Sequence, residues 1–269
     1  MTTRPGRLVL LGHPVAHSLS PVFQNAALRA AGLALEYEAL DIAPTALAAT
    51  LRSLRSVHAA GNVTIPHKAA LLPACTVLTP VARRAGAVNT FWTLDDGTLA
   101  GDNTDVAGVL AAVRALIPAL PDRAEIALLG AGGAAAAVLT AATEWPGGAL
   151  RLWSRRPDAA RALATRFRGV ATGHESEATA LHGASLVINA TPIGMRDDAL
   201  PCAIELLAPE AAVLDLVYRR GETAWVRSAR ARGHRAADGL TMLLEQGARS
   251  FECWFGVAPD RAAMRASVS

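Results

Sequence analysis

Short apolar runs separated by amphipathic stretches set the rhythm of this chain. Residues 8–11 are uniformly apolar, which predicts a buried strand, and residues 12–20 form a polar loop. Ser20-Pro21 predicts a helix start, with Ser20 as N-cap and Pro21 at the first helical position; the helix runs to Ala31 and Gly32 stops it. Residues 35–41 alternate as a strand does, and residues 44–55 carry Leu47, Leu51 and Leu54 on one helical face. Ala59, Ala60 and Val63 suit a short buried strand, and Pro66 suits the first turn of a helix from which Lys68 projects. A helix over 81–85, a strand over 87–92 and a turn at Asp95-Asp96-Gly97 follow. A helix over 104–117 then carries Val106, Val109, Leu110, Val113 and Leu116 on its apolar stripe.

Pro118 and Pro121 end that helix, and the rhythm restarts. Strands are predicted over 126–129, 149–153, 186–189 and 213–216, with helices over 134–143, 157–166 and 177–181 between them. Helices over 223–232, 240–254 and from Asp260 close the chain. Strand–helix alternation on this scale predicts an α/β protein with two α/β domains, the first built on a mainly parallel sheet and the second of Rossmann type.

Composition narrows this picture. The 269 residues are 52% hydrophobic and 18% charged, a globular balance with room for one large core or two moderate ones. Aromatics are only 4%, so Ala, Leu and Val must build the cores. A net charge of +3 without any Lys/Arg run interleaved with aromatics speaks against nucleic acid and suits a small anionic ligand. Cys75, Cys202 and Cys253 are odd in number and far apart, which argues against a disulfide framework and for a cytoplasmic protein. The histidines show no metal-binding spacing; His13 and His17 are four apart but sit in a Gly/Pro loop. Residues 126–143 are uncharged and nearly long enough to span a bilayer, but their glycine cluster fits a strand, a turn and a buried helix better, so no membrane partner is expected.

That glycine cluster carries chemistry. Gly130-Ala131-Gly132-Gly133-Ala134-Ala135 lies between an apolar strand and an Ala-rich helix, the setting of a dinucleotide fingerprint. Gly130 allows the tight turn, Gly132 lets the backbone approach a pyrophosphate, and Ala135 permits close helix–strand packing. The next strand ends Ser154-Arg155-Arg156 rather than in an acid. Two guanidinium groups there can pair with a 2′-phosphate, which favours NADP; the bland reading is two solvated arginines, and Asp158 keeps NAD possible.

Lys68 by itself reads as a solvated lysine. Its neighbours and several distant motifs change that. Gly12-His13-Pro14-Val15-Ala16-His17-Ser18-Leu19-Ser20-Pro21 with Asn25, then Asn62-Val63-Thr64-Ile65-Pro66-His67-Lys68, Gly86-Ala87-Val88-Asn89-Thr90 and Gly101-Asp102-Asn103-Thr104-Asp105-Val106-Ala107-Gly108 occur in order. The glycine turn, Asn189-Ala190-Thr191-Pro192-Ile193-Gly194-Met195, Asp215-Leu216-Val217-Tyr218 and Gly239-Leu240-Thr241-Met242-Leu243 with Gln246 complete the set. Over nearly its full length the chain resembles the shikimate dehydrogenase family; His67 stands where that family often has Phe.

The resemblance implies a substrate domain over 1–105, with helices over 240–269 returning to it, and an NADP-binding domain over 106–239. It implies NADPH-linked reduction of 3-dehydroshikimate to shikimate, with Lys68 and Asp105 as the catalytic pair. Ser18 and Ser20 would hold the substrate carboxylate with help from Tyr218, and Asn62, Thr64, Asn89 and Gln246 the ring hydroxyls. Gly130, Ala131, Gly132, Gly133 and Ala134 would cradle the pyrophosphate. Ser154, Arg155 and Arg156 would take the ribose phosphate, and Thr191, Leu216, Gly239 and Met242 would complete the cofactor set. Such a protein would act on a small molecule, as a monomer or homodimer, without metal. Two other readings stand beside it: an NAD-using quinate/shikimate dehydrogenase, and a metabolite-binding module without turnover.

Overall fold

The computed structural model describes residues 4–120, 122, 124–145 and 150–268. Pro121 and Ala149, expected at a helix end and a strand start, lie outside them. The chain divides into two compact units. One runs up to Gly108 and resumes at Leu243; the other is Val109–Met242.

In the first unit, β1 (Arg7–Gly12), α1 (Ser20–Ala30), β2 (Tyr37–Asp41), α2 (Leu47–Ser56) and β3 (Ala59–Val63) follow the expected alternation. Then come α3 (Lys68–Leu71), β4 (Val77–Leu78), α4 (Pro80–Ala85), β5 (Thr90–Thr93), β6 (Leu99–Asp102) and the start of α5 (Asp105–Leu116). The sheet has the order β2-β1-β3-β5-β6-β4. It is more mixed than the rhythm suggests: β1–β2, β1–β3 and β4–β6 are parallel, while β3–β5 and β5–β6 are antiparallel. β5 and β6 form a hairpin, closed by the Leu94 N–H to the Thr98 carbonyl (2.8 Å), with Gly97 at φ +78°. Val9, Leu11, Leu54, Val63 and Phe91 pack one of its cores.

Three local expectations shift. Ser20 is the first helical residue, not the cap; Leu19 holds the cap position, and the Ser20 N–H donates to Ser18 Oγ at 3.2 Å. Pro66 lies before α3 rather than inside it, in a turn closed by the His67 N–H on the Thr64 carbonyl (2.8 Å), so the helix begins at Lys68. Residues 87–89 are not part of β5; the Val88 N–H goes instead to the Lys68 carbonyl (2.9 Å).

The second unit contains β7 (Ile126–Leu129), α6 (Gly133–Ala141), β8 (Leu150–Trp153), α7 (Pro157–Arg166), β9 (Ala171–Gly173) and α8 (Glu177–Leu181). It continues through β10 (Leu186–Asn189), β11 (Ala212–Asp215), α9 (Ala224–Ala231), β12 (Ala236–Ala237) and the start of α10 (Leu240–Phe255). The order β12-β11-β10-β7-β8-β9 is parallel throughout, the doubly wound arrangement whose switch point lies between β7 and β10. Leu129, Val187, Val213, Trp225 and Val226 pack one of its cores.

The C-terminal half of α10 and α11 (Arg261–Ala266) belong to the first unit. Gly247 is what lets α10 lie against α1: a Cβ there would overlap the Phe23 ring, and Gln24 Nε2 donates to the Gly247 carbonyl at 2.9 Å. Trp254 is fully buried and donates its indole N–H to the Phe91 carbonyl (3.2 Å). No described helix is long and apolar enough to cross a membrane.

Candidate active site

Strand register gathers the polar residues of the first unit. Asn62 on β3 is paired with Thr90 on β5, and Thr90 with Asp102 at the end of β6. Asn89 precedes β5, and Asn103-Thr104 leads from β6 to Asp105, the first residue of α5. A carboxylate at that position is favoured by the helix dipole. Lys68, at the start of α3, sends Nζ to Asp105 Oδ2 at 2.6 Å; the lysine side chain is 23% exposed and the aspartate 6%.

Behind this pair the hydrogen bonds are dense. Asn89 Nδ2 donates to Asp105 Oδ1 (2.9 Å) and lies 3.2 Å from Gln246 Oε1, while Asn89 Oδ1 accepts the Thr104 N–H (2.7 Å). Asn62 Nδ2 donates to the Asn89 carbonyl (3.1 Å), and Asn62 Oδ1 accepts the Tyr37 hydroxyl (2.8 Å). Thr90, Thr104 and Ser250 add buried hydroxyls. Of the residues expected at the substrate, the structure thus joins Lys68, Asp105, Asn62, Asn89 and Gln246 in one network.

Ser18, Ser20 and Thr64 stand apart from that network: among the described residues no hydrogen bond joins their hydroxyls to it. Their loop is fastened to the same region by the His13 N–H on the Ile65 carbonyl (3.0 Å) and the Thr64 N–H on the Leu11 carbonyl (2.8 Å). At its rim His13 Nδ1 meets Asp41 Oδ1 at 2.5 Å, and that bond holds the Asp41 carboxyl below its ordinary value. Tyr218 belongs to the second unit, in the segment after β11.

Tyr37, Thr90, Thr104 and Ser250 are the network residues that sequence reasoning did not assign to the site. Thr90 and Thr104 each adjoin a recognised residue. Ser250 follows Gln246 by four and so shares its helix face. Tyr37 offers no signal beyond a phenol within a strand.

In the second unit, the turn between β7 and α6 separates two kinds of glycine. Gly130 has φ +110°, and a Cβ there would lie 2.9 Å from the Ala190 carbonyl oxygen. The fold itself demands it. At Gly132 and Gly133 a Cβ would meet no protein atom, and both are exposed. What they leave is bare room over the first-turn amides of α6, which have no intrahelical partner and suit a pyrophosphate. Ala131 and Ala134 flank this space, and Ala135 is fully buried.

The loop after β10 is braced from below. Asn189 Oδ1 accepts the Thr191 hydroxyl (2.6 Å), Asn189 Nδ2 donates to Asp215 Oδ1 (2.8 Å), and the Thr223 hydroxyl donates to Asp215 Oδ2 (2.7 Å). Burial pushes the Asp215 carboxyl above its ordinary range despite these donors. Gly239 is required by contact, since a Cβ there would overlap the Leu216 carbonyl, and buried Met242 follows it in α10. Beyond β8, Ser154 Oγ accepts the Arg156 N–H at 3.2 Å. Among the described residues neither Arg155 nor Arg156 has an ion-pair partner, whereas Asp158 is paired with Arg161 at 2.5 Å.

A parallel sheet wound in this order, with an open glycine turn at its switch point, places the chain among proteins with a Rossmann-type dinucleotide-binding unit. Comparison with known proteins narrows the class. Residues 10–91 match the shikimate dehydrogenase substrate binding domain, and residues 239–268 the shikimate 5'-dehydrogenase C-terminal domain. The NADP(+) shikimate dehydrogenase of Rubrobacter xylanophilus is 44% identical, over 97% of this chain and 94% of that protein. Among solved structures, shikimate 5-dehydrogenase of Thermus thermophilus with NADP(H) and shikimate superposes with a TM-score of 0.87 at 39% identity, covering 97% of each chain. That of Aquifex aeolicus gives 0.91 at 33% identity, covering 100% of this chain and 99% of the other. The chain belongs to the shikimate dehydrogenase family.

Proposed function

We propose that this chain catalyses the reversible NADPH-linked reduction of 3-dehydroshikimate to shikimate. The observation that carries the reading is the Lys68–Asp105 ion pair, oriented by Asn89 and walled by amides and hydroxyls. Bound NADPH would supply the hydride. As the ketone oxygen gains negative charge, the Lys68 ammonium stabilises it and gives it a proton. Asp105 Oδ2 holds Nζ in place, and Asn89 holds Asp105 by its other oxygen. Thr64, Asn89 and Gln246 meet ring hydroxyls, and Ser18 and Ser20 meet the carboxylate. A site so rich in hydrogen-bonding groups rejects analogues that leave them unpaired, by about 10⁴-fold or more in favourable cases.

The residues of the second unit fit a phosphorylated dinucleotide. The room at Gly132 and Gly133 supports a pyrophosphate cradle over residues 130–134, and the guanidinium groups of Arg155 and Arg156, without an ion-pair partner among the described residues, support contact with a 2′-phosphate. Asp158, engaged by Arg161, gives little support to an NAD ribose contact. The test is a matrix of initial rates with shikimate and quinate, each with NADP and NAD. Shikimate with NADP is expected to be fastest by about tenfold or more, a difference of ~1.4 kcal/mol. A comparable preference for NAD would defeat the cofactor reading, and shikimate binding without cofactor reduction would defeat the enzyme reading.

A further inference from the structure

Thr90, Thr104 and Ser250 are all but completely buried, and their hydroxyl oxygens form a triangle with sides of 2.9, 3.0 and 2.8 Å. Three hydroxyls in mutual contact can point their protons in several ways. Their outer partners narrow the choice. At one end is Asn62 Nδ2, which can only donate, 2.9 Å from both Thr90 Oγ1 and Ser250 Oγ. At the other end is the Gln246 backbone carbonyl, which can only accept, 2.9 Å from Ser250 Oγ. One chain that satisfies both runs Asn62 to Thr90, Thr90 to Thr104, Thr104 to Ser250, Ser250 to the Gln246 carbonyl; Asn89 Oδ1, 3.0 Å from Thr90 Oγ1 and 3.2 Å from Thr104 Oγ1, is a second acceptor within reach.

We propose that Ser250, together with Thr90 and Thr104, is a positioning residue for the reaction. The triad backs the Asn89 amide, with Thr90 Oγ1 3.0 Å from its Oδ1 and Thr104 Oγ1 3.0 Å from its Nδ2, and through Asn89 it holds Asp105 and Lys68 in register. The proposal rests on the activity proposed above.

The consequences can be followed amide by amide. Asn62 spends its two N–H bonds on the Asn89 carbonyl and the triad, and its oxygen on Tyr37. What it has left for a ring hydroxyl is the second lone pair of its oxygen. Asn89 cannot flip, because its oxygen holds the Thr104 N–H; its Nδ2 must face Asp105. Gln246 turns Oε1 toward Asn89 and one Nε2 proton to the Leu243 carbonyl (2.9 Å). It is left one N–H to offer, so it meets a substrate oxygen as a donor. Removing a triad hydroxyl loosens the backing of the Asn89 amide without touching substrate, cofactor or the lysine.

Three variants test this: Ser250→Ala, Thr90→Val, which keeps shape and removes the hydroxyl, and Thr90→Ser, which restores it. The first two are expected to lower kcat about tenfold, a loss within reach of one buried hydrogen bond, while KM for NADP stays within about twofold. Thr90→Ser is expected to recover most of the loss. Undiminished kcat in both hydroxyl-free variants would overturn the proposal, as would Thr90→Ser falling as far as Thr90→Val. A readout free of turnover separates this from the activity itself: solvent exchange of the Asn89 side-chain amide protons, followed by NMR with asparagine-labelled protein. Faster exchange in Thr90→Val than in wild type supports the triad, and equal exchange overturns it, even if wild type fails to oxidise shikimate.

Discussion

Asn62, Asn89 and Gln246 spend nearly all their donors and acceptors on one another and on buried hydroxyls. The first-turn amides of α6 have no intrahelical partner, and the guanidinium groups of Arg155 and Arg156 have no ion-pair partner among the described residues. The substrate side of the molecule is assembled before any ligand arrives, whereas the dinucleotide side is room and unspent charge. Preassembly lowers what must be ordered during reaction, at the cost of coupling each member to the next. An open site keeps its members independent, so their effects should add.

The largest expected effect breaks the first side. Lys68→Ala should lower kcat by about 10²–10⁴-fold, and KM for NADP should barely change, as steady-state kinetics would read. Unchanged turnover would remove Lys68 from the chemistry. Next comes the charge of the second side. Losing a charged hydrogen bond of about 1.5–3 kcal/mol in Arg155→Ala should raise KM for NADP by roughly 10- to 100-fold, leaving that for NAD alone. If the two cofactors weaken equally, the arginine does not read the 2′-phosphate.

Two glycines of one turn sharpen the comparison further. Gly130→Ala should cost on the order of 1–3 kcal/mol of stability, because φ there is +110° and Ala190 blocks a Cβ. Gly132→Val should leave the melting temperature in place, since Gly132 is already extended at φ −98°, ψ −166°, yet raise KM for NADP about tenfold. A Gly132 variant that melts early but binds normally would reverse the assignment of the two glycines.

The smallest effect concerns the brace beneath the β10 loop. Burial raises the Asp215 carboxyl above its ordinary 3.8, so the folded chain holds that proton more readily than the unfolded one. The stability this supplies is complete below 3.8 and is lost as pH rises through the folded value; half-buried Asp238 acts in the same sense. Asp215→Asn keeps a hydrogen-bonding amide there and should flatten the loss of melting temperature between pH 4 and 7 (about that range, where carboxyl linkage operates). An unchanged slope would show that Asp215 does not titrate in the folded chain.

Sequence legibility followed the same divide. The glycine turn could be read because its signal is local: an apolar strand, a turn and an Ala-rich helix in succession. Lys68 and Asp105 could be read through the motifs around them. The hydroxyl triad could not, since Ser250 lies far in sequence from Thr90 and Thr104 and no periodicity marks a buried hydroxyl. The strand β6 leaves little trace because Leu99–Asp102 is short and contains Gly101, whose missing Cβ makes way for Val88 and Cys75. The cap of α1 lies one residue earlier than the Ser-Pro pair suggests, because Ser18 rather than Ser20 supplies the accepting hydroxyl.

The first unit is discontinuous in the chain, and this bears on how the molecule is born. Its sheet is synthesised early, yet Phe251 and Trp254 of its core, and Ser250 and Gln246 of its polar network, emerge only after the whole of Val109–Met242 has been made. The nucleotide-type unit is continuous and can complete its own core first. During synthesis the sheet that bears Lys68 therefore waits, its α10-facing side uncovered, while the chain's later half folds ahead of it. The part of the protein that holds its residues most tightly together is the last to be finished.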